Sequence, residues 1–269
     1  MKHKEDWYLI YRIPEMFAVN AFFEVYVIIT FLYYIFIYHG IDPNSVLSRE
    51  EMFAFNDNAP FWAYYKLLIP IICVLPALGL EKAINFGKNS ALFVRKNKED
   101  FLKSCIVKIF IGVFMIVLIS AVLSILLSAI SFADSGITFE GAKYSGAYWL
   151  NVTGDYKYDF LKLHIIYPQL YNLIYSIIFS FCCAVFSTFY TVIRLLFANI
   201  KQGYFLVGSA VLAFAIYEVD MIFNISFWDC FIVSCNNFQN RTYSWTIIIA
   251  MILAAIIIVS KICRVKRDV

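Results

Sequence analysis

Runs of twenty or more residues drawn almost wholly from Ile, Leu, Val, Phe, Ala and Tyr recur along this chain. The plainest is "CIVKIFIGVFMIVLISAVLSILLSAIS", Cys105 to Ser131. One such run, wound as a helix, crosses a hydrocarbon layer about 30 Å thick. The runs are continuous, whereas a membrane-spanning barrel would show short segments of alternating polarity. Composition agrees: 62% of the 269 residues are hydrophobic and 15% charged, against roughly half and about a quarter in soluble domains. Mean hydropathy is +0.75. The sequence predicts an all-α polytopic membrane protein, with residues 1–269 as a single transmembrane domain.

Six spans are expected, at about 19–38, 60–80, 105–131, 168–197, 204–223 and 245–263. The second carries Pro70 and Pro76, and the end of the fifth is interrupted by Glu218 and Asp220. Ahead of the first, "EDWYLIYRIPEMF" mixes rings and charges as an amphipathic helix lying on the membrane surface would. Residues 39–59, 132–167 and 224–244 are long loops on one side. Residues 81–104 form the main loop on the other.

Lys and Arg fix the orientation, because cytosolic loops collect them. With six spans and both termini inside, sixteen of the 22 cations fall on the inner side. They include Lys2, Lys4, Arg12, Arg95, Lys96, Lys266 and Arg267. Arg49, Lys66, Lys143, Lys157, Lys162 and Arg241 make up the outer set. The expected location is the plasma membrane, multi-pass, with both termini cytosolic. The net charge of +3 is explained by this distribution and gives no reason to expect nucleic acid as a partner.

Charges inside spans point to function by default. Glu24 and Glu218 are the candidates, yet neither lies near mid-span, which disfavours a proton or sodium relay. Lys66, Lys108 and Arg194 lie near span ends, where long cationic side chains are expected to snorkel to the interface. His3, His39 and His164 all fall at or beyond span ends, so haem ligation or a histidine base within the bundle is not expected. "REEM", Arg49–Met52, holds a Glu pair in a loop without the further residues a metalloprotease needs. No GxxxxGK[ST] phosphate loop occurs. No catalytic, metal or cofactor residues are expected in this chain. Cys230 and Cys235 share one outer loop, where they could bridge or remain thiols. Rings crowd the first span (Phe22, Phe23, Tyr26, Phe31, Tyr33, Tyr34) and the fourth (Tyr171, Tyr175, Phe179, Phe181, Phe186, Phe189, Tyr190). Most of them read as lipid-facing packing, the alternative being contact with an apolar cargo.

Four features together carry a resemblance. An amphipathic stretch precedes six spans. The loop after span two reads "LEKAINFGKNSALFVRKNKEDFLKSCIVKIF". "YPQLY", Tyr167–Tyr171, opens span four after a long loop, and a short inner turn "ANIKQG" follows that span. The chain closes with the basic "KICRVKRDV". This arrangement resembles the permease subunit of a bacterial type-2 ABC exporter. The spacing of Glu81, Lys82 and Gly87 is wider than that family's pattern.

The resemblance implies a coupling helix around 84–94 seated in a separate ATPase. Ile84, Phe86, Leu92 and Phe93 would be apolar anchors, and Glu81, Lys82, Lys88, Arg95, Lys96 and Lys98 a charged periphery. Without the resemblance, the same loop reads equally as a solvated basic segment obeying the charge rule. The implied partners are two ABC ATPase subunits, which would bind the ATP and Mg, a second permease copy or paralogue, and the lipid bilayer. The implied activity is export of a hydrophobic or amphipathic peptide, lipid or drug. The alternatives are a non-transporting membrane sensor or assembly subunit, a secondary transporter, and an intramembrane enzyme.

Overall fold

A computed structural model describes residues 14–38, 52–55, 59–85, 98–132, 167–197, 199–223 and 241–265. Every regular element among them is an α-helix: α1 Pro14–Tyr38, α2 Trp62–Ile72, α3 Leu75–Asn85, α4 Lys98–Ser131, α5 Pro168–Leu196, α6 Gln202–Phe223 and α7 Arg241–Val265. Proline opens α5 after Tyr167, at the first helical position, where its missing N–H would have no partner anyway. Three stretches are long and apolar enough to cross a membrane: Pro14–Ile37, Leu102–Ser131 and Gln169–Leu196. Three shorter apolar stretches, Leu67–Leu80, Gln202–Ala215 and Thr246–Val259, lie within α2–α3, α6 and α7. Among the described residues the chain is all-helical, and its long apolar helices mark it as a membrane protein.

The second apolar run is two helices, not one. Pro70 sits inside α2 and Pro76 at the second position of α3, so two consecutive turns each lack a helical donor. Between them the backbone tightens. The Val74 N–H donates to the Ile71 carbonyl at 3.1 Å and the Ala77 N–H to the Val74 carbonyl at 3.0 Å. These three-residue steps keep the break hydrogen-bonded. Cys73 and Val74, at the break, are fully buried.

Helix α5 is the hub, packed most extensively on α4 and also against α3, α7 and α2, while α1 packs on α4 and α3. Helices α1 and α4 run parallel. A Cβ on Gly112 would lie 2.8 Å from the Met16 Cε, so glycine permits the close approach there. Ten residues on from Met16, Tyr26 reaches the segment 52–55, and Ser124 reaches it from α4. Between two parallel helices the chain must return, and the broken pair α2–α3 makes that return.

Most of these rings do not face lipid as expected, Tyr33 being the exposed exception. Phe23, Tyr26, Tyr34, Tyr171, Tyr175, Phe179, Phe186 and Tyr190 are all buried in the bundle. The exposed apolar residues are mostly aliphatic, such as Ile28, Ile29, Leu32, Ile119, Leu126 and Ile256. Flat rings gain from pairing with one another, whereas aliphatic groups lose nothing against acyl chains of the same chemistry. Two of the three cations expected to snorkel differ as well. Lys108 and Arg194 are enclosed by protein, with Arg194 only 2% exposed.

Candidate functional site

The most unusual feature of the bundle is a short non-helical segment deep inside it. Met52, Phe53, Ala54 and Phe55 are all buried, although they belong to a loop between α1 and α2. Tyr26 lies at the midpoint of α1, about 18 Å from either end at 1.5 Å per residue, and its hydroxyl donates to the Ala54 carbonyl at 2.7 Å. The Ala54 N–H donates to Ser124 Oγ at 2.9 Å. Both main-chain groups of one residue are therefore satisfied by side chains from two different helices. Irregular backbone at this depth is tolerated only where protein or enclosed water satisfies it, and these two bonds meet that need.

The flanking ring fills an aromatic enclosure. Phe55 lies 5.3 Å from Phe179, 5.6 Å from Phe53, 5.7 Å from Tyr26 and 6.4 Å from Phe23, centroid to centroid. Phe23 and Phe179 also meet edge to face at 6.3 Å. Rings on α1 and α5 thus close around one ring of the loop, each pairing contributing about 0.5–1.5 kcal/mol beyond area burial. After this segment the chain turns sharply into α2 through Phe61, whose φ of 64° is in the left-handed region. Its ring rests against Tyr33 at 5.7 Å.

Helix α5 presents a buried stripe of small polar residues, Asn172, Ser176, Ser180, Ser187 and Thr191. The Ser176 hydroxyl donates to the Asn172 carbonyl, Ser180 to Ser176 and Thr191 to Ser187, at 2.6–2.8 Å. These hydroxyls are returned to their own helix. Their small size lets α4, which carries its own buried Ser120, Ser124 and Ser128, approach closely. The Ser187 hydroxyl is buried without a hydrogen-bond partner.

At the other end of α5, Arg194 folds back on the chain. Its Nη1 donates to the Phe197 carbonyl at 2.8 Å and its guanidinium lies over the Phe205 ring, 5.2 Å from the centroid. A cation at a helix C-terminus is favoured by the helix dipole. Here the same group ties α5 to α6 across the turn.

The expected docking residues divide. Glu81, Lys82 and Ile84 lie on the last turns of α3, and Lys98 opens α4. Phe86, Lys88, Leu92, Phe93, Arg95 and Lys96 lie outside the described residues, as do Cys230, Cys235 and the amphipathic stretch before Pro14. Glu24, partly exposed, lies two residues from the midpoint of α1, nearer mid-helix than expected because the helix already includes Pro14 rather than starting near residue 19, and Glu218 is exposed on α6. Among the described residues no three His, Cys, Asp or Glu side chains converge. Sequence reasoning missed the buried segment. Its signal was there: "MFAF" is the one compact apolar run in the otherwise polar stretch 39–59. No protein-family model, no curated protein and no solved structure matches this chain.

Proposed function

We propose that this chain is the membrane-spanning permease subunit of an ABC exporter, moving a hydrophobic or amphipathic cargo with energy from separate ATPase subunits. One observation supports the reading most directly. Helices α3 and α4 both run past their apolar portions toward the charged connection: α3 continues from Leu80 to Asn85, and α4 starts at Lys98, ahead of Leu102. Two helices that reach toward one charged connection give an ATPase docked there a direct route for passing its motion into the bundle. Phe86 and Phe93 would be its anchors and Arg95, Lys96 and Lys98 its charged edge.

The full subunit in this reading has six crossings and both termini in the cytosol. It pairs with a second permease and two ATPases, which hold the ATP and Mg. Helices α6 and α7, of 22 and 25 residues, are long enough to cross about 30 Å, and α2–α3 supplies the remaining crossing.

The test is co-purification with the ATPase subunit and the ATPase activity that the assembly shows. A Phe86→Ala, Phe93→Ala double variant is expected to weaken subunit binding by about 1–3 kcal/mol. Lys96→Gln is expected to change mainly the salt dependence of association. Normal coupling in the double variant, at equal amounts of inserted protein, would defeat the docking role.

A further inference from the structure

We propose that the outward face of α1 docks a transmembrane helix of a different protein, one that carries a lysine or arginine near the middle of its span and sets it against Glu24. The inference stands on α1 and its surroundings and does not require the exporter reading.

Glu24 is out of place for a group that only lipid covers. It lies two residues from the midpoint of α1, about 15 Å from Pro14 at 1.5 Å per residue, within a stretch long and apolar enough to cross a membrane. Its side chain is partly exposed, and so is Asn20, one turn earlier on the same side. Neither side chain makes a hydrogen bond or an ion pair among the described residues. A lysine near a helix end reaches the headgroups, but a glutamate at mid-helix is too short to do so. Ionisable groups at such depth turn to protein and pair with one another.

This chain brings no described cation to that place. Among the described side chains the cations are Lys103, Lys108, Arg194 and Lys201. Lys108 and Arg194 are buried. Gly112 on α4 is level with Met16 on α1, which puts Lys108 about 18 Å from Glu24 along the parallel axes. Arg194 follows fifteen residues after Phe179, the α5 ring that meets Phe23, and is therefore about 22 Å away along α5. Lys103 and Lys201 are exposed, one nearer the start of α4 than Lys108 and the other in the turn ahead of α6. A second copy in the same orientation presents these cations at the same depths and leaves Glu24 unmet.

The rest of the face suits a helix. Ala18, Ala21, Val25, Ile28 and Leu32 follow one another at alternating steps of three and four residues, and all are exposed or partly so. That spacing makes the seam of two helices crossing at a shallow angle. The alanines let backbones approach closely, which holds helices together in lipid, where apolar bulk alone gains little. Glu24 comes immediately before Val25, at a position flanking the seam, where paired helices carry the charges that select a partner. Lipid would cover the seam but not meet Glu24. A helix with a mid-span cation does both, whichever way it runs.

The experiment uses the full chain in phosphatidylcholine vesicles. The probe is a synthetic helix of about 23 residues, Leu and Ala with one central Lys, and two comparison probes carry Leu or Glu at the centre. The photo-cross-linking residue p-benzoylphenylalanine replaces Ile28 on the proposed face or, as control, Leu253, which is exposed on α7. Position 28 is expected to capture the Lys-centred probe with about three- to tenfold higher apparent affinity than the Leu-centred one. Position 253 should show no preference. Glu24→Gln should abolish the preference, and Glu24→Lys should transfer it to the Glu-centred probe, a reversal that altered packing would not produce.

Equal capture of the Lys- and Leu-centred probes overturns the proposal. So does a preference that survives Glu24→Gln, or one equally strong at position 253. Glu24-dependent cross-linking at position 28 between two copies of the chain, with no probe present, also overturns it, because the occupant is then this protein itself. No ATPase enters the measurement, so failure here leaves the exporter reading standing.

Discussion

Tyr26 and Ser124, on two parallel helices, hold the same residue from two sides: one donates to the Ala54 carbonyl, the other accepts from the Ala54 N–H. Neither bond exists within regular secondary structure, and both span long separations in sequence. They fasten a loop to the bundle at the depth where the chain would otherwise be least able to satisfy it.

The two bonds are expected to contribute unequally to stability. Tyr26→Phe leaves a carbonyl short of one donor, and carbonyls tolerate that better than amides tolerate the loss of an acceptor. Ser124→Ala leaves the buried Ala54 N–H unmet. We expect a cost of about 0.5–1.5 kcal/mol for Tyr26→Phe and about 1–3 kcal/mol for Ser124→Ala. The double variant should cost less than the sum, because releasing the loop at one point frees it at the other. Reversible unfolding in mixed micelles measures all three. Strict additivity would show that the two bonds do not act on one segment.

Arg194 is expected to behave as a tie between helices. Arg194→Ala removes the donor to the Phe197 carbonyl and the cation over Phe205 together, and should destabilise by about 1–3 kcal/mol. Lys has no planar guanidinium to lie on the ring while bonding the carbonyl, so Arg194→Lys should recover only part of the loss. Phe205→Leu keeps the apolar bulk and removes the ring face, and should cost about 0.5–2 kcal/mol. A double-mutant cycle between positions 194 and 205 measures the coupling, and a value near zero would separate the two contacts.

Helices α1, α4 and α5 were legible because nothing but a membrane crossing explains runs so long and so apolar. Which face of each helix turns inward was not. In lipid both faces are apolar, so hydrophobic periodicity carries little information. Phe23 and Ile28 look alike in sequence, yet one is fully buried and the other exposed. The break at Cys73–Val74 had a visible cause in Pro70 and Pro76, but two prolines permit a kinked single helix as readily as two helices. Packing against α5 and α1 decides between them. The buried segment Met52–Phe55 was least legible of all, since the partners of Phe55 are Tyr26, Phe23 and Phe179, and only the fold brings them together.

The proposed orientation places residue 145 outside and residue 266 in the cytosol. Single cysteines introduced as Ser145→Cys and Lys266→Cys, with Cys230 and Cys235 replaced by Ser, are expected to differ in intact cells. An impermeant maleimide should label the first and spare the second until the membrane is opened. The reverse pattern would invert the subunit and move residues 86–97 away from any cytosolic ATPase.

The hydroxyl stripe of α5 separates two roles that look alike on inspection. Ser176 and Ser180 are fully buried, and each donates to a carbonyl four residues back on its own helix. A hydroxyl engaged in that way is spare polarity, and its main service is to be small where α5 meets its neighbours. Ser176→Ala and Ser180→Ala keep the size and improve helix propensity, so each is expected to change stability by no more than about 0.5 kcal/mol. Ser180→Leu adds bulk at a tight crossing and should cost about 1–3 kcal/mol or displace a helix. If the stripe lined a polar path for cargo, the order would change at the level of activity. The alanine variants would then fold normally and lose transport-coupled ATPase turnover in the assembled transporter. Measuring unfolding and coupled turnover on the same preparations distinguishes the cases. Normal turnover in both alanine variants, with instability confined to Ser180→Leu, identifies the stripe as packing.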